Sequence, residues 1–141
     1  MVGFGLRYRG NDIVKGLKME KSKRDFVVYV AGPYRGSTRL EIMDNIRESI
    51  IVGAGLRAEG YTVIITHLES FFNEDCLSEN DWLEHGLSLL SRCDAVYDFR
   101  KNRFSAGTEL EVNKAKELSI PVCETLEGID SAYTKGCYNE L

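Results

Sequence analysis

No stretch of this 141-residue sequence approaches the roughly 18 apolar residues of a membrane span. Charges interrupt the N-terminus before any apolar segment forms, so the pattern of a signal peptide is missing too. Histidine is scarce, with only His67 and His85, and the four cysteines (Cys76, Cys93, Cys123, Cys137) show no CxxC or other ligand spacing. Neither a metal centre nor a disulfide framework is expected from such a set. Cys93 and Cys123 adjoin apolar runs and read as buried thiols, which suits a reduced, cytoplasmic setting. Internal repeats and low-complexity tracts are also lacking.

What is present is ordinary for a globular chain, 43% hydrophobic and 28% charged residues, and the length suits one domain with a real core. The net charge of −4 is unevenly spread. Residues 1–24 hold seven Lys/Arg against Asp12 and Glu20, a net +5, which leaves −9 on residues 25–141. The basic segment reads as a solvated, mobile terminus preceding one domain over 25–141. An acidic body repels a polyanion, so a long nucleic acid is not an expected partner, whereas a single small phosphate is compatible with a few local donors.

Along the domain, short apolar runs alternate with helical patterns. Residues 26–31 form a β-branched run ending in Gly-Pro, and 61–66, 94–99 and 120–123 repeat the type. Between them, Ile42, Ile46, Ile50 and Ala54 mark a helix over 40–59 closed by Gly60. Trp82, Leu83, Leu87, Leu89 and Leu90 mark a second, capped by Ser78 or Asn80, and residues 107–118 a third. Residues 67–79 read as a long loop, and a short helix is expected near Ala132. Alternating strands and helices imply parallel pairing, and continuously apolar strands imply cover on both faces. The expected fold is therefore a flavodoxin-like open parallel α/β sheet with helices on both faces. Ligands in such sheets sit beyond the carboxyl ends of the strands, which nominates the loops 32–37, 67–79 and 100–107.

Each of those loops carries a candidate constellation. Gly32 would admit a ligand close to the backbone, and Arg35 supplies a planar donor fork for phosphate. Ser105 followed by Gly107 at a helix start offers a hydroxyl and backbone N–H groups to an anion. Glu111 lies one turn further in on the same face, while Glu109 is turned away from it by about 200°. His67 follows the second strand, and Phe71-Phe72 beside it would either stack a base or plug the core. A loop of Gly-Pro-Tyr-Arg-Gly-Ser-Thr lacks the Ser/Thr density that a flavin phosphate would need, and no cofactor is expected.

Together, Val-Tyr-Val-Ala-Gly-Pro-Tyr34, His67-Leu, the stretch from Asp81-Trp-Leu to Cys93-Asp-Ala-Val96, Ser105-x-Gly-x-x-x-Glu111 and Ile-Pro-Val122 resemble, in order and spacing, the nucleoside 2-deoxyribosyltransferase superfamily. Ser105, where the transferases usually have Asp, and Arg35-Gly36 make the chain more similar to its 2'-deoxynucleoside 5'-monophosphate N-glycosidases. The resemblance implies cleavage of an N-glycosidic bond, with Glu111 as catalytic carboxylate and Tyr29 positioning it. It further implies that Gly32, Arg35, Ser105 and Gly107 contact a 5'-phosphate and that His67 lies near sugar or base. A small-molecule nucleoside or nucleotide is then the partner, and a homo-oligomer is expected. Base exchange and nucleotide binding without catalysis are the alternative activities. One position departs from the superfamily: its usual Asp, eight residues before Asp94, is Gly86 here. Either Glu84 or His85 assists the leaving base in its place, or activity is reduced or lost.

Overall fold

The computed structural model describes residues 22–139. Four strands, β1 (Val27–Ala31), β2 (Thr62–Ile64), β3 (Ala95–Asp98) and β4 (Val122–Cys123), form one sheet in the order β2-β1-β3-β4. Every pairing is parallel. Five helices connect or follow them: α1 (Arg39–Ala58), α2 (Thr66–Phe72), α3 (Glu79–Leu90), α4 (Ala106–Glu117) and α5 (Leu126–Asn139). The fold is a flavodoxin-like open α/β sheet.

Strand β1 shows why its apolar run is uninterrupted. Val28 and Val30 point to a core shared with Leu56 of α1 and Ile129 of α5. Tyr29 and Ala31 point the other way, to Leu90 of α3 and Ala115 of α4. Both faces of the sheet are thus buried, and a polar residue on either side of β1 would be stranded.

Helix α1 starts at a capping box, in which the Thr38 hydroxyl accepts from the Glu41 amide at 3.1 Å and the Glu41 carboxylate accepts from the Thr38 amide at 3.1 Å. Its exit turns on Gly60, at φ +105°, a conformation that favours glycine. Of the residues that apolar periodicity marks, only Ile46 belongs to the stripe it buries. Asn45, Ile46, Ser49, Gly53 and Leu56 face the sheet, whereas Ile50 is 40% exposed and Ala54 is at the surface. Small residues explain the shift: a Cβ on Gly53 would lie 2.5 Å from Ile65 Cδ1, so the helix packs too closely for a larger side chain there.

Two further segments differ from the sequence reading. Strand β2 ends at Ile64, and the expected loop contains helix α2 and a 3-10 turn, Glu74–Cys76. The expected short helix near Ala132 is the fourteen-residue α5, anchored by Ile129 in the core. Of the basic N-terminal segment, residues 1–21 lie outside the described residues. Lys23–Asp25 form a 3-10 turn, with Lys23 3.7 Å from Glu59 and 3.8 Å from Asp130. Among the described residues no helix is long and apolar enough to cross a membrane, and no cluster of His, Cys, Asp and Glu could hold a metal ion. Cys93 is buried and Cys123 half-buried, both as free thiols.

Candidate active site

Strand order reverses at β1, whose neighbours β2 and β3 are reached by crossovers on opposite sides. At this switch point the segments following β1, β2 and β3 part and leave a cavity of 680 Å³. Gly32 to Arg35, Thr66 with His67, and Phe104 to Glu111 contribute its walls, and helix α3 closes it with Trp82 and Leu83.

Glu111 lies at the inner end. The Tyr29 hydroxyl, itself fully buried, donates to Glu111 Oε2 at 2.5 Å, with Thr66 Oγ1 3.4 Å from the same hydroxyl. Burial holds the Tyr29 hydroxyl well above its ordinary pKa of 10.0, so it remains a neutral donor. Burial also raises the Glu111 carboxyl from 4.5 to about 7; the bond from Tyr29 opposes the rise and the negative Asp98 adds to it. A carboxyl poised near neutrality at the end of a cavity is the usual signature of a group that handles charge or protons.

Glu109 turns outward and accepts from Arg100 Nη1 at 2.7 Å. Arg100 also donates through Nε to buried Asp98 at 3.0 Å, so one guanidinium bridges the two carboxylates.

Helix α4 opens the anion-binding side. Ser105 caps it, its Oγ accepting from the Thr108 amide at 3.2 Å and the Thr108 hydroxyl at 2.8 Å. With both lone pairs engaged, the Ser105 hydroxyl has its own proton left to donate. The amides of Ala106 and Gly107, in the first turn of the helix, have no acceptor among the described residues and border the cavity. A Cβ on Gly107 would meet nothing within 4 Å, so this turn stands open. Arg35 reaches the same cavity over the Tyr34 ring, with Nε 3.5 Å from Glu79. Its backbone is held from below: buried Asn45 donates to the carbonyls of Tyr34 at 3.2 Å and Arg35 at 3.3 Å.

Tyr29, Arg35, Ser105, Gly107 and Glu111 thus come together at one cavity, Tyr29 through its bond to Glu111. Gly32 and His67 also line the cavity, whereas Glu84 and His85 do not. Gly32 lines the cavity, but its lack of a side chain serves packing: a Cβ would fall 2.3 Å from the Phe99 ring. His67 is buried and donates through Nε2 to the Pro33 carbonyl at 2.9 Å, between the rings of Tyr34 and Phe99. Burial lowers its pKa, so this neutral imidazole fastens the first loop. Glu84 and His85 do not border the cavity. Glu84 accepts from Asn80 at 3.0 Å on the surface of α3, and His85 Nε2 pairs with Glu69 at 3.0 Å. The residue of α3 that faces the carboxylate is Gly86, whose Cβ would lie 2.9 Å from Tyr29 Oη and 3.7 Å from Glu111 Oε2.

Asn45, Thr66 and Thr108 were not legible as site residues, since each acts through a partner distant in sequence or through a cap already assigned to Ser105. For Asn45 the available signal was an amide one residue from Ile46 on the inner side of an amphipathic helix.

No curated protein and no solved structure matches this chain. A family model described as a domain of unknown function, DUF7768, matches residues 26–125, which include every residue of the cavity named above. By that match, which spans most of its length, the chain belongs to the DUF7768 family.

Proposed function

We propose that this protein hydrolyses the N-glycosidic bond of a (deoxy)nucleoside 5'-monophosphate, as its resemblance to the nucleoside 2-deoxyribosyltransferase superfamily implies. The observation that carries the reading is a single helix presenting both tools, an open first turn for the phosphate and, four residues on, Glu111 held by Tyr29 at 2.5 Å. Phosphate bound by Ser105, the free amides and Arg35 places the sugar along α4 toward Glu111.

As the C1'–N bond breaks, positive charge develops on the sugar, and the ionised Glu111 stabilises or captures it. Water supplies hydroxide to C1' and, directly or through solvent, the proton that the departing base requires. Gly86 brings no acid to the leaving group. Loss of that assistance, typically worth about 10²–10⁴-fold, makes this a slow hydrolase by the standard of a two-carboxylate site. The same glycine favours a second reading, a nucleotide-binding module without turnover.

Incubation with a panel of nucleoside 5'-monophosphates and nucleosides, followed by chromatography for free base, separates the two. Release confined to the monophosphates is expected, and binding without release would leave only the module. Ser105→Ala should weaken monophosphate binding about tenfold, through loss of one bond to a charged group, without changing nucleoside binding. It should also cost about 1 kcal/mol as a lost cap. Ser105→Gly retains most of the capping and should show the ligand effect alone. Equal losses for phosphorylated and unphosphorylated ligands would remove Ser105 from the phosphate site.

A further inference from the structure

A second hollow, of 360 Å³, opens beside the first. Arg35 and Glu74 line both, so the two cavities abut at this pair. Its other walls are Arg39, Ile42, Phe71, Phe72 and the turn carrying Asn73, Asp75 and Cys76.

Three features give it a ligand chemistry. Phe72 is 76% exposed and meets Phe71 edge to plane, with ring centroids 5.2 Å apart. It does not plug the core, and it offers a flat apolar face to the hollow. Arg39, the first residue of α1, has no carboxylate partner among the described residues, so it adds an unengaged guanidinium to that of Arg35, which sits 3.5 Å from Glu79. The same hollow is lined by Asn73, Glu74 and Asp75, acceptors suited to sugar hydroxyls. Two arginines against two carboxylates leave the hollow near neutrality. A polyphosphate tail, crowded with charge, would be repelled by Glu74 and Asp75; a nucleoside on a single phosphate linkage would not. The volume is at the lower end of small-ligand sites and adequate for one nucleoside.

Building on the proposed nucleotide site, we propose that the hollow is a second-nucleoside subsite and that the preferred ligand is a dinucleotide, in which the phosphate held near Ser105 and Arg35 carries a further nucleoside. The distal base stacks on Phe72, Arg39 meets the linkage, and Glu74 or Asp75 accepts from the distal sugar. Base–aromatic stacking is strong and tolerant of base identity, so the subsite adds affinity without demanding one sequence.

Calorimetry on the full chain, with nucleoside 5'-monophosphates, nucleoside triphosphates, phosphodiester-linked dinucleotides and pyrophosphate-linked dinucleotides, tests this directly. The phosphodiester-linked dinucleotides should bind at least about tenfold more tightly than the matching monophosphate, and more tightly than the pyrophosphate-linked ones. Phe72→Ala and Arg39→Ala, both surface changes, should each erase most of that advantage while leaving monophosphate affinity within about twofold. Phosphodiester-linked dinucleotides no tighter than monophosphates, triphosphates or pyrophosphate-linked dinucleotides tightest of all, or variants that weaken every ligand alike would each overturn the subsite. Chromatography of the same mixtures keeps the two proposals apart. Tight dinucleotide binding with no base released upholds the subsite and defeats the hydrolase. Base released from monophosphates with no dinucleotide preference does the reverse.

Discussion

Glu111→Gln should lower base release by about 10²–10⁴-fold and, above neutral pH, make the protein more stable. Both effects come from one buried carboxyl. In the unfolded chain it titrates near its ordinary 4.5, and in the folded protein near about 7. The fold therefore favours the protonated form, and the stability this group contributes is fully present below pH 4.5. It is lost as pH rises through about 7, where a charge must be kept in a desolvated place. A displacement of that size corresponds to on the order of 3 kcal/mol. Glutamine carries no charge at any pH. Urea titrations should find the variant and the parent similar near pH 4.5 and the variant ahead by pH 8. Activity runs the other way: if the carboxylate is the working form, the parent's kcat/KM climbs with pH and levels off above about 7. A rate that falls over that range would recast Glu111 as a proton donor, and an unchanged rate in the glutamine variant would remove it from the chemistry.

How far this site could be read from the chain depends on whether each placement is local. The opposition of Glu109 and Glu111 follows from helical geometry alone, and the two carboxylates indeed part, one to Arg100 and the other to Tyr29. The parallel sheet, the cap at Ser105 and the meeting of three strand-end loops are equally consequences of spacing and element order. Other placements are set by neighbours remote in sequence. Gly32 is small because of the Phe99 ring, and His67 is fastened to the Pro33 carbonyl; neither fact is carried by the residues adjacent to them. The inner stripe of α1 escaped periodicity because the closest packing uses Ser49 and Gly53, which a count of large apolar residues passes over. Glu84 and His85, which only the resemblance nominated, are phased onto the solvent side of α3. Phe72 was open between stacking and core, and its exposure decides against the core.

Gly86→Ala is the other change expected to have a large effect, and it should work through Tyr29. In an undisturbed helix the substitution would be worth about 1 kcal/mol of added stability, since alanine is the better helix former. Here the new methyl group would meet Tyr29 Oη at 2.9 Å, and the ring bearing that hydroxyl is fully buried and has little room to swing. Either helix α3 must yield or the ring must move, and because the contact falls on the hydroxyl itself, movement of the ring disrupts the 2.5 Å bond to Glu111. Overpacking of this kind costs about 1–3 kcal/mol, and the carboxyl loses its one side-chain donor among the described residues. The variant is therefore expected to be less stable and to lose catalysis by about 10²-fold, comparable with the removal of one donor from a reacting charge. A second substitution makes the cause visible. Tyr29→Phe deletes the obstructing oxygen, so Gly86→Ala introduced into that background should be neutral or stabilising, a reversal of sign within one double-mutant cycle. If alanine at this position costs the same with phenylalanine beneath it as with tyrosine, the close approach of α3 to the hydroxyl is not what keeps residue 86 without a side chain. The bare backbone at residue 86 would then need another explanation. If the sign does reverse, the Tyr29–Glu111 pair and the missing side chain are a single structural unit, and restoring an acid to that spot requires first giving up the hydroxyl that holds Glu111.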